Sequence, residues 1–173
     1  MAVFSCDIPA LSLLGRSAVA AAWYRDSYCA PLSRPQTPVV SLFVAIFGHA
    51  PLWMKLALVA RNRIAALCGL AVPSTREIFD PAVRANCAVG ERIGPWPIFA
   101  LTDTEIVAGR DNKHLDFRLS VLKLARDDDA SVVVSTMCTV HNAFGKVYLF
   151  FVVPFHRWGV QWLIANAVRA GRL

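Results

Sequence analysis

The chain of 173 residues is 56% hydrophobic, has a mean hydropathy of +0.47 and carries a formal net charge of +6. A chain of this length can bury a core without disulfides or metals, so we expect one domain. The positive charge comes without a Lys/Arg run, a recognition-helix pattern or zinc-finger spacing, and a nucleic-acid partner is therefore not expected.

Two apolar stretches, residues 39–60 and 143–168, raise the question of membrane insertion. Both are interrupted by prolines and cations within the roughly 20 residues that a spanning helix needs, which favours buried helices. The apolar N-terminus has Asp7 before it and Arg16 after it, the wrong charge order for a signal peptide, so we expect a cytoplasmic protein. The five scattered cysteines never occur in CxxC spacing and are expected to be reduced.

The first half of the chain predicts an arm, a strand and two helices. Residues 1–20 are expected to be a loose N-terminal arm, and residues 21–173 a single domain. Aromatic and turn residues predict a first strand over residues 23–32. Thr37 and Pro38 are typical of a helix start, so we predict a helix that ends at Gly48 and a second one from Pro51 to Cys68.

The second half predicts antiparallel strands followed by one long helix. Gly94, Pro95 and Pro97 interrupt the extended segment 91–102, which is typical of an edge strand or bulge. Further strands are predicted over residues 105–108, 114–124 and 131–141.

Asn142 is a suitable cap for the last helix, and Pro154 predicts a kink in it. On a helical wheel His156 falls inside an otherwise apolar arc, whereas Arg157 falls on a different face with Gln161 and Arg169. The arc is formed by Leu149, Val152, Val160, Leu163 and Ala167.

This order predicts an α+β helix-grip (START-like) fold, in which a curved antiparallel sheet wraps around a long C-terminal helix and two helices follow the first strand. Such a fold leaves a cavity where sheet and helix do not close fully. A parallel βαβ arrangement is not expected, because no helices separate the later strands.

Four ordered motifs carry a family resemblance: "GERIGPWPI", "HLDFRLSVL", "TVHNAFGKVY" and "PFHRW". From about Tyr24 to the C-terminus the chain resembles the bacterial domain of unknown function 2867 family, which looks related to the helix-grip superfamily of START and polyketide-cyclase (SRPBCC) domains. The resemblance implies a cavity for a small apolar or amphipathic molecule, and only some members of that superfamily are enzymes. No GxGxxG motif follows a strand, so no dinucleotide is expected to bind in that way, and no other cofactor is expected.

The segment "HLDFRLSVLKL" provides the sharpest candidate site. In a strand, His114, Asp116 and Arg118 share one side, and Leu115, Phe117 and Leu119 share the other. The charged side chains could line a cavity, with Arg118 binding an anionic group and Asp116 fixing the tautomer of His114. They could equally form cross-strand pairs on the outer face, which contribute only about 0.2–1 kcal/mol each.

Three further side chains are candidates for ligand binding: His141, His156 and Trp96. A buried His156 needs a hydrogen-bond partner, and we expect His114 or Asp116 on the sheet. His141 could instead bond local backbone at a turn, and Trp96 could pack as an edge-strand aromatic. The spacing of the histidines does not match a metal-binding motif, so no metal is expected.

Three functions remain open. The first is a binding domain for an apolar or amphipathic molecule, held by His114, Asp116, Arg118, His141, His156 and Trp96. The second is a cyclase, dehydratase or hydrolase with His114 and Asp116 as its acid/base pair. The third is a peripheral protein that touches anionic lipid through the basic apolar helices at residues 39–68.

Overall fold

The computed structural model describes residues 3–67, 72, 75, 87–126 and 129–173. The helices and strands in this part of the chain are β1 (Phe4–Ser5), α1 (Arg16–Ala21), β2 (Tyr24–Pro31), α2 (Val39–Phe47), α3 (Leu52–Leu67), β3 (Arg92–Ile93), β4 (Trp96–Leu101), β5 (Glu105–Asp111), β6 (Leu115–Arg126), β7 (Asp129–Val140) and α4 (Ala143–Arg169).

The strands form one seven-stranded sheet in the order β1-β2-β7-β6-β5-β4-β3, and every neighbouring pair is antiparallel. The long hairpin of β6 and β7 lies at its centre, and β2 pairs with the far side of β7. The predicted α+β class, with an antiparallel sheet and a long C-terminal helix, is confirmed.

One face of the sheet, here called the inner face, packs against α2 and α4. Its core contains Leu119 and Val121 of β6, together with Phe43 of α2 and Leu163 and Ile164 of α4. Side chains alternate along a strand, so the odd-numbered residues of β6 face the helices and the even-numbered ones face away. The period of two therefore decides which side chains of β6 lie near α4.

The N-terminal segment covers part of the opposite face, here called the outer face. Leu14 is buried there against Val107 and Met137. The carboxylate of Glu105, only 1% exposed, accepts hydrogen bonds from the Ser12 hydroxyl at 2.6 Å, from the backbone N–H of Leu13 at 2.7 Å and from the Ser120 hydroxyl at 2.5 Å. Residues 3–20 are thus attached to the sheet, in contrast with the loose arm expected for residues 1–20.

The helix boundaries follow the predicted signals with one correction. Helix α2 stops at Gly48 as predicted, but Thr37 is not its cap: Pro38 holds that position, and its carbonyl accepts the N–H of Leu42. At the start of α4, the Asn142 side chain accepts the N–H of Gly145, as predicted. The predicted end of the second helix at Cys68 lies outside the described residues.

Within the described residues, no single helix has both the length and the apolar composition needed to cross a membrane. Helix α2 and residues 52–63 of α3 reach that composition only when taken together, across a bend of 88°. The apolar side chains of α2 at Val39, Leu42, Phe43 and Ile46 are buried in the core.

Candidate functional site

Asp116 and Arg118 lie on the outer face of the sheet, away from α4. Arg118 is paired in register with Met137, which packs beneath the N-terminal segment. Its guanidinium bonds the Asp111 carboxylate at 2.5 Å and lies 3.6 Å from the centre of the Phe99 ring. Of the two arrangements that the sequence left open, this is the cross-strand pair on the outer face.

Asp116 and His114, which were expected to contact each other, have different partners in the structure. Asp116 contacts His141, whose Nε2 lies 3.0 Å from a carboxylate oxygen. His114 instead contacts the amide of Asn142 through Nδ1 and lies against the Phe144 ring, at 4.6 Å between centroids. These contacts join the ends of β6 and β7 to the start of α4.

Trp96 lies on β4 near the sheet edge and packs edge-on against two aromatic rings of α2. Its ring centroid is 5.9 Å from that of Phe43 and 6.1 Å from that of Phe47. Trp96 therefore contributes to the core between α2 and the sheet, as the edge-strand interpretation predicts.

His156 faces the sheet, as the helical wheel predicts, but the expected contact with His114 or Asp116 is wrong. Its Nε2 lies 3.1 Å from the Thr136 hydroxyl and 3.7 Å from Oδ1 of Asp26. The reason is the side-chain alternation: Thr136 is paired with Leu119 on the inner face, whereas Asp116 and Arg118 occupy the other face.

Asp26 is the centre of a polar network that the sequence analysis did not single out. The Tyr24 hydroxyl donates to Oδ2 of Asp26 at 2.5 Å, and Arg157 Nε donates to the same hydroxyl oxygen at 3.3 Å. The side chain of Asp26 is only 7% exposed, and Oδ1 is buried without a hydrogen-bond partner among the described residues. The network therefore ties β2 to α4 and, through His156 and Thr136, to β7.

The network controls the protonation of its acidic groups. Burial is the largest single effect and raises the pKa of the Asp26 carboxyl, but the contributions of His156, Tyr24 and Tyr28 together outweigh it, so this pKa lies below its ordinary value. Burial raises the pKa of Tyr24, and the bond to Asp26 raises it further. At neutral pH Asp26 is therefore a carboxylate and Tyr24 a phenol that donates to it.

A cleft of about 400 Å³ lies beside this network, between the N-terminal segment, β2 and α4. β1 pairs with Tyr28 and Cys29 of β2, and the Cys6 N–H donates to the Ser27 carbonyl just before them. Charges of both signs line it, and the lining residues are Ser5, Cys6, Asp7, Ile8, Arg25, Asp26, Ser27, Tyr28, Arg157 and Gln161.

The region between the sheet and the helices, where the fold predicted a hollow, contains the buried core cluster. Cys138, a nucleophile by residue type, lies buried beside Tyr24 and Leu149, and burial raises the pKa of its thiol to about 12. It is therefore a neutral thiol at physiological pH. No three potential metal ligands of the His, Cys, Asp or Glu type come together within the described residues.

The sequence does contain a signal for Asp26. Tyr24, Asp26 and Tyr28 recur at a spacing of two, and all three share the inner face of β2. A single carboxylate between aromatic residues on a core-facing strand is a candidate for a built polar site.

Comparison with known proteins gives one family match. A family described as "Protein of unknown function (DUF2867)" matches residues 18–162. No curated protein matches the chain significantly, and no solved structure does.

Proposed function

Because the chain belongs to the DUF2867 family, for which no chemistry is assigned, we propose its function from the site itself: the domain binds a small polar molecule in the cleft between β2 and α4. The observation that supports this proposal most is the mixed charge of the cleft, which is lined by two acidic residues, Asp7 and Asp26, and two basic ones, Arg25 and Arg157. A ligand with both a cationic and an anionic group matches this lining, since each charge meets a fixed partner.

The proposed ligand is polar, whereas the resemblance to helix-grip domains implied an apolar or amphipathic one. We further propose that the fold is of helix-grip type, supported by the long α4 against an antiparallel sheet and by two helices after β2. The core between the sheet and the helices is a cluster of buried apolar side chains, so we propose that the ligand binds at the sheet edge and is polar instead of apolar.

Four side chains of the cleft have a role in the proposed binding. Arg157 is mostly exposed, and it would bind an anionic group of the ligand while its Nε stays on Tyr24. Asp7 would accept from a cationic group. Gln161 lies one turn after Arg157 on α4 and would supply an amide. Asp26 acts indirectly, because its carboxylate fixes Tyr24 and, through Tyr24, the position of Arg157.

Saturation-transfer NMR with three matched classes of probe tests the proposal: zwitterionic amino acids, the same molecules without the amino group, and the same molecules without the carboxylate. The zwitterions should bind most tightly. The Arg157→Gln variant should bind them about tenfold to a hundredfold more weakly, as expected for loss of a charge-assisted bond. Arg169→Gln, on the last turn of the same helix, should bind like the wild type. Equal binding of all three classes, or unchanged binding by Arg157→Gln, would contradict the proposal.

An acid/base enzyme is a second candidate, favoured by the unpartnered Oδ1 of Asp26 at 3.7 Å from His156 Nε2. A buried carboxylate beside an imidazole is a common general acid/base arrangement. The same NMR samples separate the two functions: an enzyme would convert a bound probe with time, and His156→Gln would abolish conversion while retaining Arg157-dependent binding. A probe that binds and stays unchanged supports binding alone.

A further inference from the structure

Helix α4 presents a row of aromatic side chains on the side away from the sheet. Phe150, Phe151, Phe155 and Trp158 are 72%, 63%, 77% and 55% exposed. The side chains that α4 buries against the sheet, such as Leu149 and Leu163, lie on its opposite side. Exposed aromatic residues grouped in this way are typical of a binding surface.

Helix α3 extends the same surface. The Trp53 ring lies 5.1 Å from Trp158 and 6.0 Å from Trp162, between centroids. At the other end of α3, Arg61 lies 5.2 Å from the Tyr148 ring, so the two helices run antiparallel beside each other. We name as the aromatic face the exposed residues Leu52, Trp53, Leu56, Val147, Phe150, Phe151, Phe155 and Trp158.

The two helices that form the aromatic face carry charge of one sign. Residues 27–76 and 130–173, which include both helices, contain no Asp or Glu. Lys146 precedes Phe150 by one helical turn, Arg63 continues the row of Leu52 and Leu56 on α3, and Arg169 lies three turns after Trp158. All three cations are exposed.

We propose that the aromatic face docks on the surface of a membrane that contains anionic lipid. Phe and Trp side chains bury favourably at the boundary between headgroups and acyl chains, while flanking Lys and Arg attract anionic headgroups. A second copy of the chain fits less well, because two aromatic faces brought together would place cations opposite cations. The helices would lie in the plane of the interface instead of crossing it.

Co-sedimentation with lipid vesicles tests the proposal. The whole chain should bind vesicles of phosphatidylcholine with about 30% phosphatidylglycerol, and bind pure phosphatidylcholine about tenfold more weakly. Binding should fall as the salt concentration rises from about 0.1 M to 1 M. The double variant Phe151→Ser/Phe155→Ser should reduce binding at least about tenfold, since both side chains would lose their burial in lipid, and Lys146→Glu should reduce it about tenfold.

Leu11→Ser is the matched control, because Leu11 is 64% exposed and belongs to the N-terminal segment instead of α3 or α4. It should bind vesicles like the wild type. Circular dichroism and gel filtration confirm that each variant is folded and report the oligomeric state. Wild-type protein that ignores anionic vesicles, or that forms a dimer broken by Phe151→Ser/Phe155→Ser, would overturn the proposal. Equal vesicle binding by the double variant and the control would do the same. None of these results depends on the cleft ligand.

Discussion

At the scale of single residues, the arrangement around Asp26 keeps a charged group in a buried position. A carboxylate that is nearly excluded from water keeps its charge only because Tyr24 donates to it and His156 lies beside it. Removing either neighbour would leave that charge less compensated. The network therefore connects β2 to α4 and also positions side chains that line the cleft.

The lowered pKa of Asp26 predicts an effect of pH on stability. An unfolded Asp has its ordinary pKa of about 3.9, so the folded state binds its proton more weakly and the carboxylate contributes stability above that pH. This contribution should be lost as the pH falls through the folded pKa. In urea unfolding, Asp26→Asn should be less stable than the wild type by about 1–3 kcal/mol at pH 7, and the gap should narrow below about pH 4.

Asp103 provides the control for this measurement. It is an exposed carboxylate in the turn between β4 and β5, so Asp103→Asn should change stability little at any pH. A stability gap for Asp26→Asn that stays constant from neutral pH to about pH 3 would mean that the charge of Asp26 does not stabilise the folded state.

The sequence alone did not show which face of β6 packs against the helices, and this limited the prediction of single-residue contacts. The spacing of His114, Asp116 and Arg118 correctly predicts that Asp116 and Arg118 share a side, but periodicity does not say which side meets the helix. The core partners decide that question, because Leu119 and Val121 are buried on the inner face. The partner of His156 could not be found for a similar reason: Asp26 and Thr136 are 130 and 20 residues away in the chain, and only the strand order brings them together.

At the scale of elements, the start of α4 depends on a close approach to the sheet. A Cβ at Gly145 would overlap the carbonyl oxygen of His114 and approach Cγ1 of Val140 at 2.9 Å. Residue 145 lies on the first turn of the helix, which Asn142 caps. Glycine is therefore required there to let the helix start against the ends of β6 and β7.

Two glycines of α4 provide a matched pair of variants. Gly145→Ala should destabilise the protein by about 1–3 kcal/mol, because the backbone of the helix start must move away from β6. Gly159→Ala should be neutral or stabilising by up to about 1 kcal/mol, since its Cβ would meet only Cε of Met54 at 3.9 Å and alanine favours a helix. Thermal unfolding measures both. Equal melting temperatures for the two variants would show that the approach at residue 145 is not tight.

Most elements could be predicted because their signals are local. Gly48 ends α2, Asn142 caps α4, and alternation predicts the strands of the β6–β7 hairpin. The attachment of residues 3–20 could not be predicted, because it depends on Glu105, a residue about 90 positions away. That carboxylate gives no local sign that its partners lie on the N-terminal segment.

At the scale of the whole molecule, Glu105 holds the N-terminal segment to the outer face. In Glu105→Gln, the amide NH₂ group would face donors of Ser12, Leu13 or Ser120 and could not accept their hydrogen bonds. We therefore expect the free energy of unfolding to fall by about 2–3 kcal/mol. The segment should also detach more readily, and trypsin should cleave after Arg16 faster than in the wild type. Glu91→Gln is the control, because the Glu91 side chain is exposed and accepts the Ala88 N–H within its own turn. The same cleavage rate in both variants would contradict this role of Glu105.

The two borders of the sheet have a consequence for the behaviour of the protein at high concentration. In the described part of the chain, the outermost strands β1 and β3 are two residues long. A strand from a neighbouring molecule would find only two residues to pair with on either of these strands. In a chain that is more than half hydrophobic, polymerisation by β-strand addition would have to use the residues of β2 and β4 that these short strands leave unpaired.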